Sequence, residues 1–128
     1  MLPEAETPQE WMAIARSDLA VAASAHVPGA VAATACFLAQ QAAEKSLKAV
    51  LLGRGVSFSR THNVGELIDL LPPDLGFPQE LQDSALLTRY AVDTRYPGVY
   101  ERPSWDDYER ALRLAEAVVR WTEEIIGG

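Results

Sequence analysis

The stretch from about Ala30 to Leu52 narrows the folds open to this chain more than any other part of it. It is rich in alanine and contains neither proline nor glycine, with Pro28-Gly29 before it and Gly53-Arg54-Gly55 after it. Alanine loses little on entering a helix, and a glycine just past the end can take the left-handed closing conformation without steric cost. The spacing therefore predicts one long helix. Its apolar residues Leu38, Ala42 and Ala49, with Ala35, Leu47 and Leu51 beside them, form a stripe too wide for a single neighbour to cover. The rest of the chain has to supply helices that pack on it.

It does so with the same signals. A first helix is expected from Thr7 as cap, with Pro8 at the first helical position and Glu10 three residues after the cap. Its inward positions are Trp11, Ile14, Ala15, Leu19 and Ala22, and it should run until Pro28-Gly29. A short third helix is predicted from Val64 to Leu71, capped by Asn63 with Glu66 at the reciprocal position and stopped by Pro72-Pro73. A fourth should span Gln79 to Thr94, with Leu81, Ala85, Leu86 and Tyr90 inward, ending before Tyr96-Pro97-Gly98. A fifth starts at Ser104, where Asp106 and Asp107 suit the positive end of the helix dipole. Trp105, Tyr108, Leu112, Ala115, Val119 and Ile126 mark one of its faces, and Leu114, Val118, Trp121 and Ile125 an adjacent one. Nowhere does the pattern alternate as a strand would. The expected fold is all-α: an up-and-down antiparallel bundle of four long or medium helices plus one short helix, in a single domain spanning residues 1–128. Two apolar faces on the second and fifth helices also point to a homodimer.

Charge and composition exclude several functions. The net charge of −7 rules out a broadly basic nucleic-acid binder. Its distribution is uneven, because Lys45, Lys48, Arg54 and Arg60 fall within Lys45–Gly65, where there is no acid. A local cationic surface is expected there. Cys36 is the single cysteine, which excludes an intrachain disulfide and fits a reducing, cytoplasmic setting. The acidic start of the chain is not a secretory signal, and polar residues interrupt every apolar run before membrane-spanning length. No membrane role is expected.

The familiar catalytic kits are missing. His26 and His62 are far apart and Cys36 stands alone, so no metal-ligand spacing exists. No phosphate-binding glycine loop or nucleophile elbow is found, and neither a cofactor nor a metal is expected. Most acid–base pairs follow helix logic: Glu44–Lys48, Asp106–Arg110, Glu109–Arg113 and Glu116–Arg120 place the acid four residues before the base, as on a solvated face. Two stretches ask for more. Arg60-Thr61-His62-Asn63 stands at the mouth of the third helix, where Asn63 can cap while His62 either merely precedes it or acts. Thr88-Arg89-Tyr90 and Asp93-Thr94-Arg95-Tyr96-Pro97 can present guanidinium and ring faces to a phosphate or base, or can pin a turn to the bundle.

In combination these residues resemble the HEPN domain family in its small, stand-alone prokaryotic form. The matching features are Trp11, Ala15 and Asp18-Leu19; Cys36-Phe37, Gln40-Gln41-Ala42-Ala43-Glu44-Lys45 and Leu47-Lys48-Ala49; Thr61-His62-Asn63 with Glu66-Leu67; and Leu87-Thr88, Tyr90 and Arg95-Tyr96-Pro97. The resemblance implies a helical bundle, usually homodimeric, associated with nucleotides or RNA. It also implies a small nucleotidyltransferase partner encoded nearby, in a toxin–antitoxin-type two-component system. Several subgroups are metal-independent ribonucleases marked by an arginine followed a few residues later by a histidine. Arg95 matches that arginine, but Tyr100, Glu101 and Arg102 follow it and no later histidine exists.

Three functions are therefore expected to compete. The first is a binding protein whose cleft, lined by Arg95, Tyr96, His62, Asn63, Lys45 and Gln41, takes a nucleotide, RNA or the nucleotidyltransferase. The second is a ribonuclease toxin in which Arg95 holds the phosphate and His62 or Tyr100 moves the proton. Histidine titrates near neutrality and suits that task, whereas tyrosine titrates near ~10. The third is a non-catalytic dimeric adaptor.

Overall fold

The structure is a computed structural model that describes residues 7–91 and 102–127. Among the described residues four α-helices form: α1 (Pro8–Ala23), α2 (Ala32–Gly53), α3 (Val64–Asp69) and α4 (Trp105–Ile126). A 3-10 turn at Pro73–Leu75 and a longer 3-10 segment at Gln79–Tyr90 lie between α3 and α4. No strand occurs among the described residues.

The caps are those the sequence calls for. Thr7 accepts from the Glu10 backbone N–H at 3.1 Å and Asn63 accepts from that of Glu66 at 3.1 Å. Ser104 and Asp107 form a reciprocal capping box at the start of α4. There the backbone N–H of Ser104 holds the Asp107 carboxyl below its ordinary range. Helix ends differ more. Ser24 closes α1 through its N–H to the Val21 carbonyl and its hydroxyl to the Ala20 carbonyl, so the helix stops before Pro28-Gly29.

Chain direction follows from contacts between the ends. A Cβ on Gly53, at the end of α2, would lie 3.4 Å from the Pro8 ring at the start of α1, so these helices run antiparallel. The Tyr108 hydroxyl donates to the Ala22 carbonyl at 2.8 Å, while Thr122 reaches the Met12 sulfur at 3.7 Å. These two contacts set α4 antiparallel to α1. The first also satisfies a last-turn carbonyl that has no partner inside α1. The result is an up-and-down bundle with α2 at its centre.

Small residues make that centre workable. Ala35, Ala39, Ala42, Ala43 and Ala49 are buried, which lets α1 and α4 approach α2 closely while Leu47 and Leu51 fill the space between. Each such leucine, taken fully out of water, contributes roughly 1.5–3 kcal/mol. The wide apolar stripe of α2 is thus covered by neighbours from its own chain. It cannot by itself argue for a second copy.

Two inward assignments are corrected. Ile14 is exposed, and Met12 enters the core in its place, against Ala42, Ala49 and Val119. The second correction has a geometric cause. Gln79–Tyr90 is wound with three residues per turn, so its buried residues are Leu81, Ser84, Leu87 and Tyr90, each three apart. An α-helical reading of the same residues puts Leu86 inside, but Leu86 is 63% exposed and Leu87 is 1% exposed. The last three residues of the expected fourth helix, Val92, Asp93 and Thr94, lie outside the described residues. Leu87→Ala should therefore destabilise the protein by about 2–5 kcal/mol in urea unfolding, and Leu86→Ala by less than ~0.5 kcal/mol. Equal effects would refute the three-residue period.

Cys36 sits fully buried in the same core. Burial, with a smaller contribution from Asp107, pushes its thiol from the ordinary 9.0 up to about 11. A shift of that size lowers the thiolate fraction about a hundredfold. An aromatic disulfide reagent at about pH 8 should leave the native protein unlabelled while the urea-unfolded chain reacts fully. Rapid native labelling would show that the core opens there.

Candidate functional site

A line of three polar residues runs through the apolar middle of α2. Gln40, Glu44 and Lys48 stand four apart, and all three are buried. The Glu44 carboxylate is the hub: its Oε1 accepts from Gln40 Nε2 at 2.9 Å and contacts His62 Nδ1 at 2.9 Å, while its Oε2 accepts from Lys48 Nζ at 3.1 Å. The Gln40 amide also donates to the His62 carbonyl at 2.9 Å. Lys48 lies beneath two rings, 5.5 Å from the Trp11 centroid and 5.8 Å from that of Phe58. Its long stem belongs in such a place, and the ring faces add attraction to the cation.

This overturns the reading of Glu44–Lys48 as a pair on a solvated face. Its side chains are 3% and 8% exposed, because α1 and the loop before α3 close over that flank of α2. In such surroundings an unpaired ion is costly, and each charge depends on the other. Asp106–Arg110 is replaced as well, since Arg110 pairs with Asp107, three residues away.

His62 shows the opposite exposure. Its side chain is 67% exposed, yet the ring is fixed from below by Glu44. A carboxylate that already receives bonds from an amide and an ammonium can only accept, so the proton of that contact belongs on Nδ1. In the neutral ring the unprotonated nitrogen is then Nε2, on the side of the ring away from Glu44. The backbone around it is equally constrained. The Asn63 N–H donates to Thr61 Oγ1 at 3.0 Å, Thr61 donates to Glu66 at 2.9 Å, and the Val64 N–H donates to Thr88 Oγ1 at 3.0 Å. His62 therefore does more than precede a cap.

The other expected site residues divide into two groups. Gln41 donates to Gln40 Oε1 at 2.7 Å, which ties it to the edge of the buried line. Lys45 is 2.7 Å from Asp18 of α1, and Asn63 serves as the α3 cap. His62, Asn63 and Gln41 thus belong to one connected patch, with Lys45 facing α1. Arg95, Tyr96 and Tyr100 lie outside the described residues.

The expected cationic surface does not form as such. Lys45 pairs with Asp18, Lys48 with Glu44, and Arg54 with Asp74 at 3.6 Å. Acids outside that stretch thereby offset Lys45, Lys48 and Arg54. Gln40, Glu44 and Lys48 were not anticipated as functional neighbours of His62. Their signal was present as three polar residues four apart inside an otherwise apolar stripe, a pattern that demands buried partners. Among the described residues there is no group of three or more His, Cys, Asp or Glu that could hold a metal ion. Also among them, no helix is long and apolar enough to cross a membrane.

A wholly helical bundle whose central helix holds a polar line beneath an exposed histidine is the class of domain that this geometry defines. The model of the HEPN domain matches residues 8–125, and the chain belongs to the HEPN domain family. Among solved structures it is similar to TT1696 from Thermus thermophilus, with 33% identity over 94% of this chain and 98% of that one and a TM-score of 0.82. It is also similar to ST0689, described as an archaeal HEPN homologue, with 27% identity over 95% of this chain and 99% of that one and a TM-score of 0.75. A search of curated proteins returned no match.

The buried pair makes a sharp energetic prediction. Glu44→Ala leaves the Lys48 ammonium without its counter-ion and should destabilise the protein by about 3–5 kcal/mol in denaturant unfolding. Glu44→Gln combined with Lys48→Met removes both charges and keeps both stems, and should be less harmful than Glu44→Ala alone. A double variant as unstable as the sum of its single changes would refute the coupling.

Proposed function

We propose that this HEPN protein binds a phosphate-bearing ligand, a nucleotide or RNA, at the surface around His62, and that it does so as a homodimer. The observation that carries the proposal is the imidazole of His62, 67% exposed and fixed at Nδ1 by a carboxylate that is itself buried and paired. A ring held in one orientation loses little freedom when it bonds a ligand. Because Lys48 offsets Glu44, a protonated His62 adds one net positive charge to the patch, which an anionic ligand would meet directly. Asn63 and Gln41 flank His62 on this surface, and Arg95 and Tyr96, which lie outside the described residues, are proposed as the guanidinium and ring that would meet a phosphate or base. A small nucleotidyltransferase encoded nearby, as in a toxin–antitoxin-type two-component system, is the protein partner that this reading favours.

Calorimetric titration with ATP, other nucleotides and short single-stranded RNAs tests the proposal. Binding to at least one is expected, weakened about tenfold or more by His62→Ala, the loss of one charge-assisted hydrogen bond. A folded dimer that binds none of them would reject it.

The geometry of His62 also supports a second reading, a metal-independent ribonuclease. A carboxylate at Nδ1 with Nε2 unprotonated is the arrangement in which an imidazole takes up or delivers a proton. In that reading Arg95 holds the phosphate. RNA cleavage in the presence of a chelator should then disappear in Arg95→Ala and in His62→Ala, with the helical circular dichroism unchanged. Undiminished cleavage by Arg95→Ala would trace the activity to a contaminant.

A further inference from the structure

A concave surface that His62 does not line lies between the 3-10 segment and α4. It encloses 370 Å³, and its floor includes Leu81, Leu87, Ala111 and Leu114. Leu86 also lines it and is 63% exposed, a large apolar side chain in water beside an apolar groove. The two walls run antiparallel. Phe77, just before the 3-10 segment, packs edge-on against Trp121 at 4.9 Å between ring centres. At the opposite end Tyr90 lies within the field of Asp107 and Arg110.

That arrangement makes the groove electrically polar along its length. Glu80 and Asp83 line the end nearer Trp121. Arg89 and Arg110 line the other end, Arg113 stands one turn further along α4, and Asp107 is paired with Arg110. Among the lining residues, one end therefore holds two acids and the other two arginines against one acid, with Arg113 near the middle. A surface with its apolar residue near the middle and opposite charges at its two ends complements itself. A two-fold axis through the middle turns one copy end for end, which faces acids with arginines twice over and brings the two Leu86 side chains together.

We infer that this groove is where a second copy of the chain docks, with Leu86 at the centre of the interface and Glu80 and Asp83 of each copy facing Arg89 and Arg110 of the other. The inference rests on the homodimer reading above and adds to it the surface and its polarity. Neither the His62 patch nor the α2 stripe is needed for it.

Light scattering on the eluting full-length protein, with sedimentation to obtain the dissociation constant, tests the inference. The unaltered chain should be a dimer. Leu86→Asp, Glu80→Arg with Asp83→Arg, and Arg89→Glu with Arg110→Glu should each weaken self-association at least tenfold while the helical spectrum persists, since all five positions are exposed. Mixing the acid-reversed with the arginine-reversed protein should restore a dimer with one chain of each. A wild-type dimer insensitive to all three changes overturns this interface and leaves the homodimer reading standing. A wild-type monomer at every concentration overturns both, including the case in which Leu86 proves to contact a different protein.

Discussion

Glu44 is an acid on the inward flank of a helix that is otherwise built to be buried, and most of what distinguishes this molecule follows from the need to satisfy it. A carboxylate in such a place offers several acceptor positions and tolerates few vacancies. Here they are met by an ammonium one turn along α2, an amide one turn back and an imidazole from a different segment. The first two lie within the helix and form with it. The third requires the loop before α3 to come down onto α2, and the Gln40 bond to the His62 carbonyl fastens that loop at a second point. The position of α3 is therefore set by a buried charge as much as by the packing of Val64 and Leu67.

The same contact joins stability to function. His62 is exposed on the outside and structural on the inside, so its ring orientation does not have to be established when a ligand arrives. A histidine placed only by its backbone would sample several rotamers. The proposed ligand surface is thus pre-organised by the core beneath it, and the line Gln40–Glu44–Lys48 acts through His62 without reaching solvent itself. The groove along α4 is organised differently. Its polarity comes from the antiparallel course of two segments, and no buried ion is involved.

The surface electrostatics show how far a linear charge map can mislead. Lys45–Gly65 is the most basic stretch of the sequence, yet Asp18, Glu44 and Asp74 each take one of its cations. Such pairing offsets Lys45, Lys48 and Arg54 and leaves that stretch less attractive to a nucleic-acid backbone than its sequence suggests. Recognition at His62 would rest on a few directed bonds rather than on a diffuse field.

Much of this protein was determined locally and could be read from the chain. Thr7, Asn63 and Ser104 cap the helices that follow them because a side-chain oxygen reaches backbone N–H groups only three residues away. The alanine-rich run becomes the central helix for a reason equally local, and the segments around His62 and Glu44 carry the family resemblance. Three features depended on groups distant in sequence. The winding of Gln79–Tyr90 decides that Leu87 rather than Leu86 enters the core. The flank of α2 covered by α1 and the loop before α3 turns Glu44–Lys48 from a surface pair into a buried one. The approach of His62 to Glu44 spans 18 residues, which no helical periodicity encodes. Periodicity fixes which residues share a face. Only packing decides what covers that face, and the covering fixes whether a charged pair is solvated or has to be matched.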